Sequence, residues 1–201
     1  MTTIISFLIL IFSIILHEIA HGYMANYLGD PTARLQGRLT LNPLKHIDPI
    51  GSIVVPIITS LSGFTFGWAK PVEYNPYNLK NRRLGELLIA LAGPGSNLII
   101  ALVFGTIIRY TFVNSGPSPF IEMSIYIVMI NLVLAIFNLI PLPPLDGSKV
   151  LFYFLKDQYG KLRIVLESYA PIFILIVVFA LWKIISPLVL IMFGIITGIN
   201  I

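Results

Sequence analysis

Long apolar runs separated by short polar segments dominate the chain. These runs occupy residues 3–28, 84–113, 120–140 and 165–185, and a shorter apolar segment follows at 187–201. A run of about 20 apolar residues is long enough to cross a lipid bilayer as a helix. The pattern therefore predicts an all-α, polytopic membrane helix bundle with about four to six membrane segments. We expect residues 1–201 to form a single membrane-embedded domain.

Two stretches between the runs depart from this pattern. Polar and apolar residues alternate through residues 34–41, which favours a short β-strand or hairpin at the membrane surface. Such an edge either binds nothing or pairs with an extended substrate, and the sequence leaves both open. Residues 51–67 are apolar, but glycine and proline interrupt them and they are short for a crossing. We expect a re-entrant or interfacial hairpin there.

The composition agrees with a membrane protein and narrows its chemistry. Hydrophobic residues make up 57% of the chain and charged residues 11%, against about 25% charged in soluble domains. The formal net charge of +4 in such a chain points to membrane lipids and topology, and not to nucleic acid. The chain contains no cysteine, which excludes disulfides and thiolate metal ligands.

The distribution of basic residues predicts an orientation. All of the 13 Lys and Arg residues except Arg109 and Lys183 fall in segments that the predicted crossings place on one side. Because basic loops stay in the cytoplasm, we expect the N-terminus to lie outside. The runs at 3–28 and 120–140 then both descend towards the cytoplasm. Residues near their C-terminal ends should meet in the cytoplasmic half of the membrane.

A His-Glu-x-x-His element, His17-Glu18-Ile19-Ala20-His21, lies inside the first apolar run. On a helix the two histidines share one face, one turn apart. Two imidazoles so placed bind one zinc ion, and Glu18 then lies beside the metal as a base. A glutamate in lipid is costly unless it is paired or used in chemistry. The alternative is a chance match, or a pair of hydrogen-bonded core histidines.

A catalytic zinc ion needs three protein ligands and an open position. For a three-histidine site His46 is available, but Met24 and Tyr27 stand where the common continuation has Gly and His. Asp30 and Asp48 lie in loops beside turn residues, where aspartate usually caps or turns the backbone.

The fourth candidate, Asp146, follows a proline-broken segment at the same depth as the histidines. It precedes Gly147, which lets the backbone approach closely. We therefore favour Asp146 as the third ligand.

Two asparagines are candidates for contacting a substrate or its oxyanion. Asn97 follows the small residues Ala92-Gly93-Pro94-Gly95-Ser96, where an interhelical hydrogen bond is favoured over a catalytic role. Asn138 stands at the end of the third run, where it either donates to the oxyanion or caps the helix. The sequence leaves both interpretations of Asn138 open.

The first-run motif, combined with Asn138-Leu139-Ile140-Pro141-Leu142-Pro143-Pro144-Leu145-Asp146-Gly147, resembles the site-2 protease family of intramembrane metalloproteases. The similarity covers about residues 10–155 and also includes 42–51 and 92–97. The chain resembles the compact bacterial and archaeal members of the family, because no PDZ-like domain interrupts it.

This resemblance implies that His17, His21 and Asp146 bind zinc, that Glu18 is the catalytic acid/base, and that Asn138 lies near the substrate. It also implies a prokaryotic cell membrane and substrates that are single-span or other transmembrane proteins.

Two other functions use similar residues. Some zinc transporters carry histidines four apart on a membrane helix, but a transport path needs polar ligands reachable from both sides. Here the ionisable residues crowd to one side. A catalytically inactive membrane adaptor of the same fold is the second alternative, and the intact Glu18 argues against it. The physiological substrate and the oligomeric state are not indicated by the sequence.

Overall fold

The structure is a computed structural model that describes residues 2–60, 69–116, 118–155, 160–170 and 182–199. The helices in these ranges are α1 Thr2–Tyr27, α2 Thr32–Leu35, α3 Val55–Ser60, α4 Arg82–Ser115, α5 Pro119–Asn138, α6 Gly147–Phe154, α7 Gly160–Ser168 and α8 Trp182–Thr197. A π-helical turn at Ile50–Val54 leads into α3, and 3-10 turns lie at Pro43–Lys45 and Pro76–Asn78.

Three of these helices are long and apolar enough to cross a membrane, at Ile4–Tyr27, Arg82–Phe112 and Pro119–Asn138. They are the helices that the apolar runs at 3–28, 84–113 and 120–140 predict. The chain is thus an integral membrane protein of helical architecture. The predicted span at 165–185 falls largely on residues 171–181, outside the described residues, so the total of four to six membrane segments remains a prediction.

The longest helix, α4, packs against α1, α5, α6 and α8. Fully buried apolar side chains from α4, α5 and α8 form the main core, among them Ile108, Val128 and Phe193. Gly105 lets α8 approach closely, because a Cβ there would press against Ile196. Small residues at such crossings are how membrane helices gain dispersion contacts where lipid removes the hydrophobic driving force.

The alternating stretch at 34–41 does not form a strand, and that prediction is wrong. Its first residues complete α2, and Gly37 follows with a φ of 64°, in the left-handed region that ends helices. Arg38 is buried whereas Leu35 is 76% exposed, the reverse of what a strand with an apolar inner face requires. No β-strand occurs in the part of the chain that the structure describes.

The expected hairpin at 51–67 is described only as far as residue 60. That half consists of the π-helical turn and α3, and residues 61–68 lie outside the described residues. Asp48 accepts the N–H groups of Ile50 and Gly51 at the start of this segment. The turn role predicted for Asp48 is therefore confirmed, and the re-entrant or interfacial character of 51–67 remains a prediction.

Asp30 joins the end of α1 to the 3-10 turn at Pro76–Asn78. Its fully buried carboxylate accepts hydrogen bonds from Thr32, from the N–H of Asn75 and from the side chain of Asn78. Burial alone would raise the pKa of Asp30, but these donors together hold the pKa below its ordinary value. Asp30 thus has the local capping role predicted for it, and it fixes the segment before α4 against α1.

Candidate metal centre

Three side chains from distant parts of the sequence converge beside α1. His17 and His21 lie one turn apart on that helix, and Asp146 precedes α6. The Oδ2 atom of Asp146 lies 3.1 Å from Nε2 of His17 and 3.2 Å from Nε2 of His21. The two histidines are buried, and 23% of the Asp146 side chain is exposed. Among the described residues, these three form the cluster that could hold a metal ion.

Asp146 reaches the histidines because of how the chain turns after α5. It stands at the N-cap of α6, where aspartate is favoured, yet its side chain makes no capping hydrogen bond. The backbone at Gly147 packs onto the carbonyl oxygens of Leu139 and Ile140, which a Cβ would strike. Glycine is therefore required there, and the turn it permits directs the Asp146 carboxylate towards α1.

Both histidines are held by their other ring nitrogen. The Nδ1 atom of His17 lies 2.6 Å from Oδ1 of Asn97, and Nδ1 of His21 lies 2.6 Å from the carbonyl oxygen of Ile89. Because both oxygens are acceptors, each Nδ1 carries the proton and each Nε2 presents a lone pair. With both imidazoles neutral, two lone pairs and a carboxylate oxygen face one another, an arrangement that repels unless a metal ion or a proton lies among them.

The orientation of Asn97 follows from its neighbours. Asn131 donates its amide N–H groups to the carbonyl oxygen of Ile127, which only accepts, and to Oγ of Ser13 at 3.0 Å. Its Oδ1 therefore faces Asn97 and accepts the Asn97 amide N–H at 2.8 Å. Because the amide N–H groups of Asn97 face Asn131, its Oδ1 points towards Nδ1 of His17. The network is fully buried and joins α1, α4 and α5, and it fixes the tautomer of His17.

Space for an ion is provided by Gly93 on α4. A Cβ at this position would lie against Nε2 of both His17 and His21. The volume beside the two lone pairs thus exists because residue 93 has no side chain. Two imidazole nitrogens and one carboxylate oxygen are a ligand set of catalytic zinc sites. The residues present therefore fit a zinc ion.

Glu18 follows His17 on α1 and is half-buried. Its Oε2 atom accepts the backbone N–H of Val72 at 2.7 Å. Val72 belongs to a segment without regular secondary structure that precedes α4, so the carboxylate is held by the main chain of a loop.

Comparison with known proteins shows which family the chain resembles. The family model described as Peptidase family M50 matches residues 113–182. A Bacillus subtilis protein named "Putative zinc metalloprotease YwhC" is 43% identical over 71% of this chain and 65% of its own length. The chain is thus similar to peptidase family M50. The resemblance to site-2 proteases, which this family contains, is confirmed.

Two other relatives have lower sequence identity to this chain. Rip2 of Mycolicibacterium smegmatis, which bears the same description, is 31% identical over 67% of this chain and 51% of its own length. "Zinc metalloprotease MJ0392" of Methanocaldococcus jannaschii is 28% identical over 78% of this chain and 36% of its own length. The chain thus spans less than two thirds of the length of each of these relatives. No solved structure matches it.

The other candidate site residues do not belong to the cluster of His17, His21 and Asp146. Asn97 is fully buried with its polar atoms engaged by His17 and Asn131, so it faces protein and not a substrate. The interhelical hydrogen bond predicted for it is confirmed. The side chain of Asn138 donates to the carbonyl oxygen of Leu134 at 2.9 Å, and its oxyanion role remains a prediction. His46 bonds the carbonyl oxygen of Thr40 instead of joining the cluster.

Several parts of this site are not predicted by the sequence analysis. The position of Ser13, one turn before His17 on α1, could have suggested that it lies near the site. Its partner Asn131 is recognised only once α5 is in place. Gly93 lies in a stretch expected to allow close helix approach, yet the sequence does not show that histidines are what approach it. The contact between Glu18 and Val72 could not be predicted from residue types, because its donor is a backbone N–H, which every residue except proline has.

Replacing Gly93 by alanine tests the space for the ion. The added methyl group would occupy the position beside both Nε2 atoms, so we expect zinc affinity to fall by at least about tenfold. Gly95→Ala is the matched control, since a Cβ there meets no atom within 4 Å. Zinc titration against a competing chelator measures both, and equal affinities would show that the ion does not lie against Gly93.

Replacing Asn97 by leucine tests the hydrogen-bond network. The change leaves the Nδ1–H of His17 and the Oδ1 of Asn131 unpaired in the interior, each at a cost of about 1–3 kcal/mol. We expect zinc affinity to fall about 10- to 100-fold. Asn138→Leu is the control for the same substitution on α5, and it should leave the affinity unchanged. An Asn97→Leu protein that binds zinc like the wild type would remove Asn97 from the site.

Proposed function

We propose that this chain is an intramembrane zinc metalloprotease that hydrolyses peptide bonds within or near transmembrane segments of membrane proteins. The observation that carries the proposal is the convergence of His17, His21 and Asp146 beside a membrane helix, with Glu18 next in sequence to one ligand. The names of the M50 relatives, which describe zinc metalloproteases, support the same reaction. They favour it over a zinc transporter or an inactive adaptor.

The reaction divides among few residues. His17, His21 and Asp146 would hold a zinc ion and leave one position open, and the ion when bound supplies Lewis-acid activation of water and of the peptide carbonyl. Glu18 accepts a proton from the attacking water and returns it to the leaving amine. Asn97 and the carbonyl of Ile89 keep the imidazoles in the tautomer that binds metal through Nε2.

Asn138 is proposed as a donor to the oxyanion of the tetrahedral intermediate. Its half-buried side chain belongs to the last turn of α5, immediately before the segment that ends at Asp146. To act there, the amide must leave the carbonyl of Leu134 and turn towards the substrate. A correctly placed donor of this kind is worth about 3–4 kcal/mol in other hydrolases.

The substrates we propose are single-span or other transmembrane proteins. A peptide bond inside a helix is shielded by the helix's own hydrogen bonds, so the substrate must unwind locally. In lipid each freed backbone group costs several kcal/mol unless it finds a partner. Cleavage should therefore fall near glycine, proline or asparagine, which form helices poorly. Because 34–41 is not a strand, we assign it no pairing with the substrate.

Glu18→Gln tests the proposed chemistry. The amide has the size of the carboxylate but does not accept the proton from water, so proteolysis should be lost while zinc is retained. Cleavage of reconstituted single-span proteins, measured beside zinc content, gives both readings. Turnover close to that of the wild type would contradict the role of Glu18, and loss of zinc would leave the base unidentified.

The proposed orientation places the N-terminus outside and the metal centre in the cytoplasmic half. Its support is the concentration of basic residues on one side, together with the position of His21 in the second half of α1 and of Asp146 after the end of α5.

Cysteine labelling tests this orientation cleanly, because the chain has no cysteine of its own. Lys45→Cys and Lys80→Cys should react with an impermeant reagent from the cytoplasmic side. Glu122→Cys, in the exposed first turn of α5, should react from the other side. If Lys45→Cys and Lys80→Cys react from opposite sides, residues 51–67 cross the membrane and the orientation is different.

A further inference from the structure

Residues 70–75, which we call the strap, form no regular secondary structure and pass beside α1 before the 3-10 turn at Pro76–Asn78. Two of their backbone N–H groups bond carboxylates at or beside this helix. The N–H of Val72 donates to Oε2 of Glu18 at 2.7 Å, and the N–H of Asn75 donates to Oδ2 of Asp30 at 2.7 Å. The strap is therefore attached at its middle to α1 and at its end to the turn that follows α1.

The start of the strap is held by Arg38. This residue is only 7% exposed, and the partners of its guanidinium are main-chain carbonyl oxygens: that of Lys45, that of Lys70 at 2.7 Å and that of Pro71 at 3.1 Å. The N–H of Lys70 donates to the carbonyl oxygen of His46 at 2.9 Å. A rigid fork with five donors suits such multiple contacts. Arg38 thus fixes the backbone immediately before Val72.

Packing leaves the strap little freedom to move away from or along α1. Gly22 lies one turn after Glu18, and a Cβ there would press against Val72, Leu39 and Ala33. Val72 itself is 8% exposed. The N–H of Val72 therefore meets Glu18 at a position set by side-chain packing as well as by Arg38.

We propose that the strap positions Glu18, and that Arg38 is a positioning residue that acts through it. The N–H of Val72 fixes Oε2, which leaves Oε1 to take the proton from water. A glutamate side chain has several rotatable bonds, and holding one oxygen removes most of its alternative rotamers. A reacting group fixed in this way keeps the geometry of proton transfer. The inference rests on the proposed function, because it assigns the base role to Glu18.

Loss of Arg38 should change kcat and leave KM as it is. Arg38 contacts main-chain carbonyls and none of the three proposed ligands. Its loss should lower kcat by about 10- to 100-fold and leave KM and zinc content unchanged. A residue that serves only folding would lower zinc content and the amount of folded protein along with kcat.

The kinetic test compares variants of Arg38 in the full-length protein. Arg38→Met keeps the apolar stem without donors and should show the loss of kcat, and Arg38→Lys should recover part of it. Gln36→Ala is the control, because Gln36 also joins the strap, but through an exposed bond to the side chain of Glu73 at 3.0 Å. It should leave kcat unchanged. Wild-type kcat in Arg38→Met would overturn the proposal.

A second pair of variants, both at Val72, tests the N–H donor directly. Val72→Pro lacks the N–H, whereas Val72→Ala keeps it and loses only side-chain packing. We expect the kcat loss in Val72→Pro to exceed that in Val72→Ala, with zinc content kept in both. Equal losses would overturn the assignment of the N–H and leave packing as the cause. This pair also decides the matter if Arg38→Met does not fold.

Amide hydrogen exchange gives a readout that needs no proteolysis. The N–H of Val72 should exchange slowly in the wild type and in Gln36→Ala, and faster in Glu18→Ala and Arg38→Met. Equal protection with and without the Glu18 carboxylate would overturn the proposal. A wild-type protein that cleaves no membrane substrate would contradict the proposed function instead, and the exchange pattern would still decide whether the strap holds Glu18.

Discussion

The structure depends on bringing two imidazole lone pairs and a carboxylate together inside a membrane protein. Unless a metal ion or a proton lies among them these groups repel one another, and burial inside the membrane increases that cost. The surrounding contacts keep the groups in place nevertheless. The Nδ1–H groups of both histidines are bound by acceptors, and Gly147 directs Asp146 inwards. The protein therefore holds a site in which a divalent cation would offset the repulsion.

Most of that support comes from α4. It supplies Asn97 and the carbonyl of Ile89 to the histidines, and Gly93 gives the ion its space. The same helix packs against α5, whose Asn131 completes the network, and against α6, which follows Asp146. Every polar atom of this network has a partner, and a fully satisfied network makes a buried site rigid.

The sequence predicts what depends on local spacing and on composition. The three long helices follow from their apolar runs, and the pairing of His17 with His21 follows from the helical repeat. Asp146 could be favoured because prolines and Gly147 make its surroundings unusual. The prediction of a strand at 34–41 is wrong. Its first residues end α2, Gly37 turns the chain with a left-handed φ, and the residues after it form no regular structure, so the alternation of residue types does not reflect a strand. The partners of Asn97, and the backbone contact to Glu18, depend on tertiary packing that residue types do not encode.

The central claim is that His17, His21 and Asp146 hold one zinc ion through two nitrogens and one oxygen. X-ray absorption spectroscopy at the zinc edge, on purified protein of measured metal content, tests it most directly. We expect one zinc per chain, with two imidazole ligands and oxygen ligands at about 2.0–2.2 Å. We also expect one oxygen ligand fewer, or loss of the metal, in Asp146→Ala. A third imidazole in the spectrum, or an unchanged spectrum in Asp146→Ala, would contradict this claim.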